Sequence, residues 1–218
     1  MTTVLNPPQR TAEERFLLRN VTWETYEQLL KNYESLSAPR FTYDQGDLEI
    51  MSPSIPHEAA SDILRLLVNI ICEERELDVR GLGSTTHKRA DLLKGVEPDG
   101  CFYIQNVDVI RGVEDLDLTI HPPADLVIEA DISRQSVPRF PIYAALGVPE
   151  IWQFENGEVR FFGLHEGQYV LLGSSAALPG IPSDVVTLFV NKSGAMKRPQ
   201  WLLEVREWIR SVDPPQSR

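Results

Sequence analysis

The sequence predicts an α/β domain: a mixed central sheet with helices on both faces and a β-hairpin extending from it. Three observations predict it. A helical apolar stripe (Ile63, Leu66, Leu67, Ile70, Ile71) runs through residues 56–76. Strand-like runs then alternate with helical ones through the middle of the chain, the pattern of a sheet whose strands are joined by crossovers. Three strand-like runs separated by short turns follow, the signature of an antiparallel meander.

Taken in order, Met1 to about Asn20 carries Pro7, Pro8 and mixed charge and reads as a loose leader. Thr22 is an N-cap for a helix that places Trp23, Tyr26, Leu29, Leu30 and Tyr33 on one face. RFTYDQGDLEIMS (40–52) is a hairpin turning at Asp44-Gln45-Gly46-Asp47. Pro53 and Pro56 end it and open the long helix, with His57, Glu58, Asp62 and Arg65 outside its stripe. A short strand over 79–82 precedes a polar segment, STTHKRADLLKGVEP. The compact strand GCFYI follows, beside Asp99, and after a loop comes DLVIEADI (125–132). A helix over 137–146 stops at Gly147. PEIWQFE, GEVRFFGL and GQYVLLG form the meander, and helices near 183–190 and 201–209 close the chain. One domain over 21–213 is expected, with a frayed tail at 214–218 and no repeat.

Composition narrows the class. No apolar stretch has the length needed to span a bilayer, and the start lacks the layout of a signal peptide. Cys72 and Cys101 show neither CxxC spacing nor a disulfide framework. A cytoplasmic protein with reduced thiols is the plain reading. The net charge of −11 opposes nucleic acid, whose affinity comes largely from Lys and Arg neutralising phosphates. A homodimer that gathers basic residues into a shared groove would answer this. The apolar stripe Trp201, Leu202, Val205, Trp208 and Ile209 suits either core or a dimer contact.

The chemistry concentrates in 125–132. Alternation places Asp125, Glu129 and Asp131 on one strand face with Val127, and Leu126, Ile128, Ala130 and Ile132 on the other. Neighbours on one face lie about 6.5–7 Å apart, close enough for carboxylates to share a divalent ion bonded at about 2.1 Å. The pattern also suits an edge strand with a solvated acidic face, but a strand leading directly into a helix within a mixed sheet favours the site. In Glu97-Pro98-Asp99 the proline fixes the backbone ahead of a second carboxylate. His57 and His87 have no metalloprotease spacing. His57 either supports the site from behind or belongs to a polar cap. Ser133 caps the next helix and lacks the GxSxG context of a nucleophile.

Glu97-Pro98-Asp99, PPADLVIEADIS, IYAALGVPEIW and LEIMSPSIPHE together resemble the bacterial Uma-type restriction-endonuclease family, within the PD-(D/E)XK nuclease superfamily. The resemblance runs from about Thr22 through the central strands. It implies a restriction-endonuclease-like fold, with Asp99 and Glu129 as ligands of Mg²⁺ or Mn²⁺ and DNA as substrate. Asp131 then stands where the superfamily's lysine is expected. The family often carries that lysine on the following helix, four positions before a tyrosine; here those positions are Arg139 and Tyr143, one helical turn apart. Glu58 matches the extra acidic residue of the first core helix, with Glu49 as its rival. An arginine can stabilise developing negative charge but cannot act as a base, since its pKa stays above about 12. Asp131 could take the proton instead, and Lys88 or Lys94 could supply an ammonium. Three functions therefore stand: a Mg²⁺-dependent DNA endonuclease, a binding module that keeps the fold without cutting, and a metal-dependent hydrolase of another phosphate substrate.

Overall fold

In a computed structural model the described residues are 13–36, 38–131 and 135–212. The chain runs β1 (Glu14–Leu18), α1 (Trp23–Tyr33), β2 (Arg40–Asp44), β3 (Asp47–Ser52), α2 (Ile55–Glu74), β4 (Arg80–Gly83), β5 (His87–Arg89), β6 (Lys94–Val96), β7 (Gly100–Tyr103) and α3 (Val107–Ile110). It continues with β8 (Leu126–Asp131), α4 (Phe140–Leu146), β9 (Glu150–Glu155), β10 (Glu158–His165), β11 (Gln168–Leu172), α5 (Ser183–Ser193) and α6 (Arg198–Val212).

Two sheets form. The larger has the order β11-β10-β9-β8-β7-β4 and is antiparallel except for the parallel pair β8–β9, the crossover through α4. Pro141 in the first turn and Gly147 in the left-handed conformation (φ 78°) bound that helix. Helices cover both faces of this sheet. α2, α5 and α6 pack with Leu126, Ile128, Trp152 and Phe161 on one side, and α4 packs with Val127, Cys101, Tyr103 and Ile151 on the other. β8 is interior and all six of its residues are buried, so the solvated edge is excluded.

The smaller sheet, β1-β3-β2-β6-β5, is built on the hairpin. Gln45 (φ 49°) and Gly46 (φ 102°) turn it. Its alternation is two-sided: Phe41, Tyr43, Leu48 and Ile50 pack against α1, while Arg40, Thr42, Glu49 and Met51 share the opposite face.

Three features depart from the sequence reading, and a fourth, the α6 stripe, takes one of its two alternatives. The leader expected over 1–20 contains β1 from Glu14, paired with β3; residues 1–12 of that leader, Ser133, and the tail from 213 lie outside the described residues. The polar segment after β4 holds β5 and β6, three residues each and too short to show a period. The α2 stripe is rotated: His57, Ser61, Leu64 and Val68 are buried, while Ile63 and Leu66 are only partly so. The α6 stripe is absorbed internally, with Trp201, Val205 and Ile209 in the core formed with α2 and α5. That removes one of the two reasons for expecting a dimer.

Candidate active site

Asp99 precedes β7, and Glu129 is in β8. Gly100 pairs with Ile128, and the Asp99 amide donates to the Ile128 carbonyl (3.0 Å), so the ladder brings Asp99 level with Glu129. Alternation puts both on the α4 side, with Cys101 and Val127. Both are fully buried. A buried carboxylate is costly unless paired and hydrogen-bonded, and each here has several partners.

Asp99 Oδ2 accepts from the Ala130 amide (2.7 Å), and its Oδ1 faces His57 Nε2 (2.8 Å) and the Arg40 guanidinium. His57 Nδ1 faces Glu13 (2.6 Å). Arg40 also donates to Glu58 (3.0 Å), whose side chain is 46% exposed and opens the cluster to solvent. Burial lowers the Arg40 pKa, against the pull of Glu58 and Glu129.

Glu129 accepts from the Arg139 guanidinium and from the Tyr143 hydroxyl. The one-turn spacing on α4 aims both groups at β8. Burial pushes the Glu129 carboxyl upward, against Arg139. Burial pulls Arg139 down, yet the charges of Glu129, Tyr143, Asp131 and Glu49 carry it above its ordinary value. Tyr143 is raised well above its usual range by burial and by Glu129. Glu49 lies 3.9 Å from Arg139, pairs with Arg15 (2.5 Å) and accepts from the Ser136 and Val137 amides. Asp131 is tied to Gln135 (2.6 Å) and Gln153 (2.7 Å).

The structure thus brings Asp99, Glu129, Glu58, Glu49 and Arg139 into one network, with Asp131 beside it. Lys88 and Lys94 stand apart, paired with Glu27 and Asp44. Asp125 serves the β7–α3 loop by accepting from the Ile104 and Asn106 amides. Arg40, Arg15 and Glu13 are the members that sequence reasoning did not place in the site, and His57, left open between site support and polar cap, takes the first role. For Arg40 and His57 a signal existed, in the hairpin alternation and in the i, i+4, i+7 spacing of His57 with Ser61 and Leu64.

The donors fit a divalent cation in kind, since carboxylate oxygens are what Mg²⁺ selects. Among the described residues no three His, Cys, Asp or Glu side chains are gathered as a ready cage. A guanidinium is the stand-in cation instead, with Arg40 bridging Asp99 and Glu58 within the field of Glu129. Arg40 and Arg139 also each keep a buried Nε–H without a hydrogen-bond partner, an unmet donor that suits an anionic oxygen.

A two-faced α/β sheet with opposed acidic residues on adjacent central strands defines the restriction-endonuclease-like class. Residues 23–187 match the Uma2 family, described as "Putative restriction endonuclease", and the chain belongs to that family. Among solved structures it is similar to a "putative nuclease belonging to DUF820" from Anabaena variabilis ATCC 29413. The two share 14% identity with a TM-score of 0.47, over 83% of this chain and 98% of that one. No curated protein matches the chain. No helix among the described residues is long and apolar enough to cross a membrane.

Proposed function

We propose that this chain is a cytoplasmic, Mg²⁺- or Mn²⁺-dependent endonuclease that hydrolyses DNA phosphodiester bonds through a single domain, the one expected over 21–213 extended to take in β1 from Glu14. The observation that carries the reading is the level, buried placement of Asp99 and Glu129 on adjacent central strands among guanidinium groups. Asp99, Glu129 and Glu58 would hold the ion. When bound, a divalent ion supplies an activated water and neutralises charge developing on the phosphoryl group.

The chain's own residues do the rest. Arg139 is fixed by Glu129 and Glu49, and its spare Nε–H meets negative charge on a phosphate oxygen. Tyr143 locks the orientation of Glu129. The Ala130 amide and His57 lock that of Asp99. Asp131, held by two glutamine amides at the end of β8, would accept the proton, in the role that Arg139 cannot fill. A homodimer belongs to this proposal, because it would concentrate the positive charge that the acidic monomer lacks.

Calorimetric titration of Mn²⁺ into wild type, Asp99→Ala and Glu129→Ala tests the ion, and plasmid nicking with and without EDTA tests the substrate. Binding by wild type alone, with EDTA-sensitive nicking, is the expected result. A wild type that binds no divalent ion removes the catalytic reading. One observation favours a second reading: every carboxylate of the network already has a protein partner, which suits a module that binds nucleic acid without cutting it. DNA binding that ignores EDTA and leaves the plasmid intact would select that reading. Metal binding with hydrolysis of small phosphodiesters but not DNA would select another phosphate substrate. Sedimentation velocity showing only monomer at micromolar concentration would remove the dimer.

A further inference from the structure

We propose that Arg40 is the resident cation of the metal site, and that a divalent ion binds between Asp99 and Glu58 only in exchange for its guanidinium. This deepens the metal-dependent reading and rests on it. Arg40 begins β2, on the hairpin face turned toward the larger sheet, and its side chain is 7% exposed. One of its nitrogens donates to Asp99 Oδ1 and another to Glu58 Oε1 at 3.0 Å. The fork therefore fills the position from which a single cation would reach both carboxylates. Two cations cannot share that gap at low dielectric, because their repulsion offsets what each gains.

The two anchors of the fork are unequal. Asp99 is held independently by the Ala130 amide and His57, so it stays aimed when the guanidinium leaves. Glu58 lies in the first turn of α2 and is half exposed, so it can follow either partner. The Nε–H of Arg40 has no acceptor where it sits. Its seat is thus incompletely satisfied, and an ion that offers the carboxylates full ligation can displace it. A purely structural Arg40 predicts the reverse: removing it would disorder the carboxylates and weaken the ion.

The test is Mn²⁺ affinity, read from the free-ion signal in electron paramagnetic resonance on the full chain. Arg40→Gln should bind Mn²⁺ about tenfold more tightly than wild type, within the range of about 5- to 150-fold common for coupled ligands. Equal or weaker binding by the folded variant overturns the exchange while leaving the metal site standing. No binding by either protein overturns the metal reading and the exchange with it. Should Arg40→Gln fail to fold, wild type itself supplies the measurement. In an ¹⁵N-labelled sample titrated with Mg²⁺, the Arg40 Nε–H resonance, assigned by its loss in Arg40→Lys, should shift in step with saturation. An Arg40 resonance that stays fixed while Mg²⁺ saturates the site overturns the proposal.

Discussion

Separating Glu129 from Arg139 is the perturbation whose size the structure sets most directly. Both side chains are essentially inaccessible, at 0% and 1% exposure. Removing one member of such a pair leaves the other charged, buried and uncompensated, which costs roughly 3–5 kcal/mol. The two halves should not be equal. In Glu129→Gln the stranded guanidinium still has Glu49 at 3.9 Å, and Tyr143 can still donate to the amide oxygen. This places the loss near about 3 kcal/mol. In Arg139→Met the stranded carboxylate keeps the Tyr143 hydrogen bond but loses its guanidinium, and Glu49 loses a neighbour too. That loss belongs at the upper end, and it should shrink on acidification, because burial already raises the Glu129 pKa. The double variant strands neither group, so the cycle should return a coupling of at least about 2 kcal/mol. Urea unfolding in EDTA measures all four proteins, with fluorescence of the buried Trp152 and Trp201 as the signal. Additivity within about 0.5 kcal/mol would show that the two charges do not depend on each other. The account of the site as a self-neutralised network would then fail.

Tyr143→Phe keeps the ring in its apolar seat and deletes a hydrogen bond to a carboxylate. It should cost roughly 1.5–3 kcal/mol in the same urea assay, and an unchanged midpoint would mean the hydroxyl contributes nothing. His87 is buried, with Nδ1 on the Thr85 carbonyl (2.9 Å) and Nε2 unpartnered, and burial lowers its pKa from 6.5 to about 4. The neutral ring is therefore the folded form. Its contribution is complete above pH 6.5 and is lost as pH falls toward 4, to a total of roughly 3 kcal/mol. His87→Gln should flatten that slope between about pH 7 and about pH 4, and an identical slope in the variant would assign the acid sensitivity elsewhere. At Gly95 a Cβ would come within 2.7 and 2.8 Å of Tyr26 ring carbons, in a ring fully buried and stacked on Tyr43. Gly95→Ala should cost about 1–3 kcal/mol by overpacking, and a neutral result would show that the α1 layer yields.

What the sequence revealed follows the range of the interactions involved. The hairpin was legible because apolar and polar residues alternate on either side of Gln45-Gly46, a purely local signal. The Asp99–Glu129 pairing was legible because one strand alternation and one Pro-Asp step bracket it. The α4 pair Arg139 and Tyr143 was legible through the family resemblance, and their spacing put them on one helical face. Arg40 was not read into the site, because its bond to Asp99 spans 59 positions and depends on how the hairpin sheet folds over the larger one. Its alternation with Phe41 and Tyr43 was visible, but an arginine on the polar face of a hairpin ordinarily implies solvent. His57 was set outside the α2 stripe because a polar residue on a helix reads as surface, whereas here it bridges Glu13 and Asp99 and is wholly buried. β5 and β6 escaped because three residues cannot establish a period. β1 escaped because Pro7, Pro8 and mixed charge earlier in the leader gave no strand signal.

The acidic balance of the chain then bears on how DNA would be held. Several outer arginines are committed to carboxylates: Arg89 to Asp91, Arg111 to Asp78 and Asp108, Arg160 to Glu158, and Arg206 and Arg210 to Glu74. With a net charge of −11, long-range attraction of a polyanion is not available to the monomer. If DNA is held at the site, its phosphate contacts are the few guanidinium groups there, Arg40 and Arg139 first. Each phosphate neutralised contributes about −0.9 to the slope of log affinity against log salt. Two or three contacts therefore predict a shallow slope, near about −2 to −3, measurable by fluorescence anisotropy of a labelled duplex across a salt series. Arg139→Met should reduce that slope by about one unit. A steep slope, of about −6 or beyond, would mean that a larger basic surface forms elsewhere. Since the monomer shows its charges so widely paired, a second copy would be the source to examine first.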